Sequence, residues 1–267
     1  MDYHKLNSER FSGQQYINLY NKYRPSPPKE IIHQTLNYLN SYSVERLVDL
    51  GCGTGISTLV WNDFASEIIG IEPSKEMVLA AKEYNCTEKI KYFEGYSDNI
   101  KLESNSVNVI TCSQSFHWME PKSTLKEINR ILKKNGVLLI YDVIWPPSTN
   151  YELEQAYITL FEKIKGITEN LNQEISFKWK KDNHYINIYN SGYFKFVKES
   201  YYHKTEKFNK EQLMGITLSQ GGLEALLKRG FSEKEIGLED FNNKIEQFED
   251  LLFDEITYNY KVIFAKK

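Results

Sequence analysis

The residues with the clearest chemical purpose lie between positions 47 and 58, in the stretch LVDLGCGTGIST. Asp49 precedes glycines at 51, 53 and 55, and a helix-forming segment follows. Glycine lets the backbone turn tightly and approach a ligand, and the first turn of a helix offers amide N–H groups without intrahelical partners. The dinucleotide-binding fingerprint is G-x-G-x-x-G, whose second glycine admits a pyrophosphate. This chain reads G-x-G-x-G and places Ile56 at the sixth position. Asp49 would repel a pyrophosphate and attract an ammonium group, so the loop suits a cationic, amino-acid-like ligand; the plain alternative is a structural turn. Glu72 stands 21 residues after Gly51, where a carboxylate can accept both hydroxyls of a ribose. Its alternative is a solvated loop carboxylate.

These residues need a scaffold, and the hydrophobic pattern supplies one. Short apolar runs recur as RLVDL (46–50), EIIGIE (67–72), KIKYFEG (89–95), VNVITCS (107–113) and GVLLIYDV (136–143). Helical segments are expected between them at 56–65, 74–84 and 122–134, with a helix at 28–41 opened by Pro27 and Pro28. Continuous branched-aliphatic runs alternating with amphipathic helices predict a parallel sheet covered on both faces, wound by right-handed crossovers. After Asp142 the rhythm breaks. IWPPSTN reads as a loop, 150–170 as a helix, FKFVKESYYHK (194–204) as a strand, 209–229 and 232–250 as helices, and 256–266 as a final strand. The expected fold is α/β: a doubly wound, mostly parallel seven-stranded sheet with an antiparallel edge strand and a helical cap. One domain spans 1–267, with an N-terminal cap helix (1–28), a ligand-binding core (44–143), an inserted cap segment (146–191) and a C-terminal completion of the sheet (192–267).

Composition narrows the function classes. With 33 basic and 36 acidic residues, the net charge of −3 gives no concentrated cationic face of the kind that phosphate neutralisation demands, so nucleic acid is not an expected partner. No apolar run reaches membrane-spanning length and the first residues do not read as a signal peptide, so no membrane partner is expected. Three cysteines, Cys52, Cys86 and Cys112, are too few and too scattered for a disulfide framework or a zinc site. They suit a reducing cytoplasm, and no metal is expected. The oligomeric state is not legible.

The motif DLGCGTG (49–55), followed by IGIEPSKEM (69–77), resembles the class I S-adenosylmethionine-dependent methyltransferases, in particular their small-molecule, trans-aconitate methyltransferase-like branch. The resemblance covers about 44–143 and implies a Rossmann-like methyltransferase fold with S-adenosylmethionine as cofactor. It implies that Asp49, Gly51, Cys52 and Gly53 surround the amino-acid part, and that Glu72 takes the ribose, with Pro73, Ser74 and Met77 around the adenine. In FEGYSDNI (93–100), Tyr96 stands where the family has an acid, and the backbone of Ser97 offers an N–H. SQSFHWM (113–119) matches the segment lining the transfer cleft, with Ser113 and Gln114 at the cofactor or substrate and Trp118 as a wall. YNKYRP (20–25) resembles an N-terminal element that folds over the cofactor, so that Tyr20 covers it and Arg24 clamps a carboxylate of methionine or of substrate. A surface arginine beside packed tyrosines is the other reading of Arg24.

Methyl transfer from a sulfonium is an in-line displacement, and positioning alone is worth about 7–11 kcal/mol. A general base adds about 10²–10⁴-fold only when the acceptor must lose a proton. His117, just past the fourth strand, is the candidate base; the alternative is a neutral histidine that orients the loop or packs on Trp118. The other histidines, His184 among them, have no partner legible in sequence. The expected acceptor is a small molecule methylated at oxygen, a carboxylate being compatible with Arg24. Two other functions stay open: a nicotinamide-dependent oxidoreductase, and a non-catalytic S-adenosylmethionine-binding protein.

Overall fold

In the computed structural model, which describes residues 13–85, 87–171, 177–248 and 255–267, the apolar runs become the strands of one sheet. Strands β1 (Val44–Leu50), β2 (Ala65–Glu72), β3 (Ile90–Glu94) and β4 (Val107–Ser113) run parallel. They are joined by β5 (Leu132–Ser148), β6 (Phe196–Lys207) and β7 (Glu255–Lys266) in the order β3-β2-β1-β4-β5-β7-β6. The expected seven-stranded, mostly parallel sheet is present. Its antiparallel margin is β7 paired with both β5 and the outermost strand β6.

Both faces are buried because the central strands carry aliphatic side chains in both directions. Helix α2 (Lys29–Leu39) lies on the first face, where Ile31, Ile32 and Leu36 pack with Leu47, Val109 and Leu139, while α1 (Gln14–Tyr23) packs Tyr16 and Ile17 with Met77 and Ala80. Helix α5 (Pro121–Ile131) covers the other, seating Leu125, Ile128 and Ile131 against Val48, Ile110 and Leu138. Between β1 and β2 the chain makes only one helical turn, α3 (Ile56–Leu59), where the sequence suggests ten helical residues. Helix α4 (Lys75–Tyr84) begins where Ser74 Oγ accepts the Met77 N–H.

Two boundaries differ for identifiable reasons. Helix α5 ends at Ile131, and Leu132 enters β5 at once rather than extending the helix to 134. IWPPSTN is not a loop throughout: β5 continues to Ser148, and its pairing with β7 shifts register between Ile144 and Ser148. Pro146 and Pro147 have no N–H to give the ladder, so the strand passes them as an irregularity.

The helical cap draws on more of the chain than 1–28 and 146–191. Helix α6 (Tyr151–Glu169) buries Leu153, Tyr157, Leu160 and Ile164 against the short helices α8 (Lys210–Leu218), α9 (Gly221–Leu227), α10 (Glu233–Ile236) and α11 (Leu238–Glu246). These four replace the two longer helices expected at 209–229 and 232–250, because Ser219–Gln220 interrupts the first and the left-handed Gly237 the second. The remaining helix, α7 (His184–Asn190), follows a short 3-10 turn at Lys181–Asn183 and packs Ile188 against the α5 side of the sheet. Residues 1–12 of the expected N-terminal cap, Cys86, residues 172–176 and the end of the expected helix at 249–250 lie outside the described residues.

Candidate active site

Strand order reverses between β1 and β4, and at such a switch point the loops at the strand carboxyl ends diverge to leave a crevice. A cleft of about 820 Å³, counting its solvent-filled mouth, opens there. Gly51, Gly53, Glu72, Pro73 and Met77 line one side, Tyr96, Ser97, Ser113 and Gln114 the other, and Tyr20 reaches in from α1. A smaller adjoining space of about 330 Å³ is lined by Arg24, Cys52 and Ser57 together with Tyr20, Gly51, Ser113 and Gln114. Twelve of the expected site residues thus line these two adjoining spaces.

The glycine loop holds left-handed backbone at Gly51 (φ 68°), Gly53 (φ 55°) and Gly55 (φ 85°). A Cβ at Gly51 would stand 2.5 Å from the Ser115 Cβ, whereas one at Gly53 would meet nothing within 4 Å. Gly51 therefore serves close packing and Gly53 keeps its space open to the cleft. The loop amides are largely committed. Gly51 and Cys52 donate to the Ile71 carbonyl (2.7 and 3.2 Å), and Gly55 donates to the Cys52 carbonyl (2.9 Å). Gly53 donates to Glu72 Oε2 (3.1 Å). These four donors are not free to cradle a diphosphate.

Glu72 closes β2 with its carboxylate buried at the cleft. Its other oxygen, Oε1, accepts the Ser74 N–H at 2.9 Å. Burial pushes its carboxyl up to about 7, against the pull of those two amides. Each oxygen retains a lone pair for a further donor.

Three expected site residues line neither space. Asp49 is fully buried beneath the loop: Oδ2 accepts from Ser57 Oγ (2.9 Å) and Thr58 Oγ1 (2.7 Å), and Oδ1 accepts from Thr111 Oγ1 (2.8 Å). It ties the turn after the glycines to β1 and β4 and does not touch the cleft. Ser74 is spent on capping α4 and on its bond to Glu72. His117 lies in a 3-10 turn, Phe116–Trp118, with its ring 6% exposed and Nδ1 3.6 Å from Asp142 Oδ1. Burial pushes its pKa down to about 4, with Asp142 pulling the other way. Asp142 is itself raised by burial, but His117 and Lys181 outweigh that and hold it well below the usual carboxylate range. The imidazole is thus neutral at pH 7, a weak base, and placed behind the wall that Trp118 and Gln114 present.

Gln114 marks that wall structurally. It adopts φ 50°, a left-handed conformation that costs a non-glycine residue energy and recurs at functional sites. Its N–H is held by the Tyr141 carbonyl at 2.8 Å.

Arg24 is not a surface arginine. Its Nη2 donates to the Ser219 carbonyl (2.9 Å) and to Gln220 Oε1 (3.0 Å). Its guanidinium stands 5.0 Å from the Tyr20 ring and 5.2 Å from the Trp145 ring. Its Nε is buried without a hydrogen-bond partner beside the smaller space.

Leu50, Ile71, Gly95, Ser115 and Met119 also line the cleft; none was singled out as a site residue, although Ser115 and Met119 fall in the segment 113–119 that was expected to line it. Leu50 and Ile71 were legible in principle, since each is at or next to the end of a strand, where an apolar face can meet a flat heterocycle. Ser115 was not, because its Oγ is oriented by the Leu50 carbonyl (2.6 Å), a contact across 65 residues.

Residues 48–140 match the model of a family described as "Methyltransferase domain". A probable S-adenosylmethionine-dependent methyltransferase of Saccharomyces cerevisiae, CRG1, is 26% identical over 168 residues, 61% of this chain and 52% of the yeast protein. The chain spans about half the length of the curated relatives it matches. Among solved structures, the YcgJ protein from Bacillus subtilis superposes with a TM-score of 0.52 at 14% identity, covering 90% of this chain and 99% of that one. A phosphoethanolamine N-methyltransferase from Haemonchus contortus, in complex with S-adenosyl-L-methionine, superposes with a TM-score of 0.56 at 14% identity, covering 100% of this chain and 60% of its own. At such identities the structural likeness concerns the fold.

Proposed function

We propose that this chain, whose residues 48–140 match a methyltransferase domain, is an S-adenosylmethionine-dependent methyltransferase acting on a small molecule. One observation carries the reading: the glycine loop donates its amides inward, to Ile71, Cys52 and Glu72, so it favours a ligand other than a diphosphate. The buried Glu72 at the cleft supports a ribose whose hydroxyls donate to its two oxygens. Met77, Ile71 and Leu50 give the apolar surroundings a heterocycle needs. The same accounting disfavours a nicotinamide dinucleotide. S-adenosylmethionine supplies an electrophilic methyl on a positively charged sulfur.

The remaining work is positional. Tyr20 closes the cleft from α1, excluding water, while Gln114, Ser113 and Trp118 bound the side from which an acceptor approaches. Arg24, whose buried Nε has no hydrogen-bond partner beside the smaller space, receives the carboxylate of the methionine part. His117 acts as an orienting residue for the Gln114–Trp118 wall, because its ring faces Asp142 and lines neither space. An acceptor that arrives already ionised needs no base, and Lys178, whose ammonium stands 4.7 Å over the Trp118 ring, favours an anionic one. The acceptor is accordingly read as a carboxylate methylated at oxygen, as in the trans-aconitate-like branch.

Calorimetric titration with S-adenosylmethionine beside NAD tests the cofactor: binding of the first alone is expected, and binding of NAD alone overturns the reading. Turnover is tested by mass spectrometry of a metabolite extract incubated with protein and cofactor, where carboxylic acids gaining a methyl group are expected. Arg24→Met is expected to weaken S-adenosylmethionine roughly tenfold, the worth of one charge-assisted hydrogen bond. Its affinity for 5′-methylthioadenosine, which lacks the amino-acid part, is expected to stay at the wild-type value. Equal losses for both ligands would assign Arg24 to packing.

A further inference from the structure

Behind the wall of the cleft, three side chains from separate segments converge: His117 after β4, Asp142 in β5 and His184 at the start of α7. One ligand-capable atom of each lies within 4.8 Å of the others, and all three residues are buried. We propose that they bind one divalent transition ion of the zinc type, which fastens the 177–190 segment to the carboxyl end of the sheet.

His184 carries the proposal. Its ring is 1% exposed, and neither Nδ1 nor Nε2 has a hydrogen-bond partner; His117 Nδ1 has none either. A neutral imidazole holds one N–H and one lone pair, and burying such groups unpaired is unfavourable. A cation between the three residues satisfies a lone pair on each imidazole and both neutralises and binds the carboxylate. Two imidazoles and one carboxylate, without thiolate, form the donor set of three-ligand zinc sites that keep a fourth position for water.

The distances suit an ion after a small adjustment. Bonds of about 2.0–2.2 Å in tetrahedral array put ligand atoms roughly 3.4 Å apart. The His117–Asp142 pair already stands at 3.6 Å, so closing the site needs mainly a rotation of His184, whose ring now meets Phe116 edge-on. Lys181 occupies the cationic role meanwhile. Its Nζ is 2.5 Å from Asp142 Oδ1 and its side chain is 39% exposed, so it can swing into solvent when an ion enters. The ammonium and the ion therefore compete for Asp142. The consequence for the cleft is mechanical: the Trp179 N–H donates to the His117 carbonyl (2.8 Å), so an ion at this site fixes the turn that carries Trp118.

Cobalt(II), whose visible absorption reports four-coordinate ligation, is the probe, titrated into the full-length protein stripped of metal by a chelator. One equivalent is expected to give intense visible bands that zinc displaces. Zinc is expected to slow amide hydrogen exchange across 177–190. Lys181→Met is expected to tighten cobalt at least tenfold by removing the competing charge, and His184→Leu to abolish the bands while S-adenosylmethionine still binds. The proposal is overturned if wild-type protein shows no cobalt bands and no zinc-dependent protection, as a bridging water would give. It is equally overturned if the bands survive in a folded His184→Leu or Asp142→Asn variant, or if Lys181→Met leaves the affinity unchanged.

Discussion

Glu72→Ala is expected to weaken S-adenosylmethionine roughly a hundredfold in calorimetric titration. Two hydrogen bonds from ribose hydroxyls to one carboxylate are worth together about 3 kcal/mol or more, since each has a charged partner. The truncation also releases the Gly53 and Ser74 amides, whose acceptor it removes, and so loosens the loop that shapes the cleft. Wild-type affinity in a folded variant would remove Glu72 from the ribose and with it the present orientation of the ligand. A pH dependence accompanies this effect. Burial raises the Glu72 carboxyl from its ordinary 4.5 to about 7 in the free protein, while ligand hydroxyls favour its ionised form. Affinity should therefore rise with pH up to about 7 and then level, with proton release on binding below that point. Glu72→Gln should flatten the profile. For stability the sign is opposite. The folded protein holds a proton on Glu72 between 4.5 and about 7 that the unfolded chain has lost. Its contribution, about 3 kcal/mol by linkage, is complete below 4.5 and is lost as the pH rises through 7.

The second large effect falls on stability. Asp49→Ala should cost about 3 kcal/mol or more in urea unfolding, because Ser57, Thr58 and Thr111 would each lose their acceptor in a fully buried position. A buried donor left unsatisfied costs about 1–3 kcal/mol, and the truncation adds a cavity. A loss under about 1 kcal/mol would mean that the three hydroxyls find other acceptors and that the loop does not depend on this acid. The contrast between the two acids is informative. Glu72→Ala should change affinity more than unfolding, and Asp49→Ala the reverse.

Asp49 and Glu72 also show what the sequence could and could not disclose. Both stand at strand ends flanking a glycine loop, and the branched-aliphatic runs that define those strands are readable without a structure. Which acid faces the ligand is decided by hydroxyls from α3 and β4, and Thr111 is 62 residues from Asp49. No local pattern encodes that pairing. The surroundings of His117 were hidden for the same reason: its position after β4 is readable, but its approach to Asp142 depends on the neighbouring strand β5. The segmented helices of the cap were obscured because pieces of four to nine residues make only about one to two and a half turns, too few to set each apart by its periodicity. Pro146 and Pro147 read as a loop because propensity weighs against a strand, and β7 overrides it on both sides of the irregularity.

Helix α1 reaches the cleft through Tyr20, packs Tyr16 and Ile17 against Met77, and is held at its far side by the Tyr16 hydroxyl on the Ser219 carbonyl and by Glu211. The opening is therefore finished by a helix from outside the central stretch 48–140, which provides floor and flanks, and that helix is anchored by residues far beyond it. A fragment cut to that stretch would keep the glycine turn yet lack a ceiling. Removing α1 should then silence binding while the ladder of strands stays whole, whereas the carboxyl end cannot be trimmed in the same way, because β7 is held between β5 and β6.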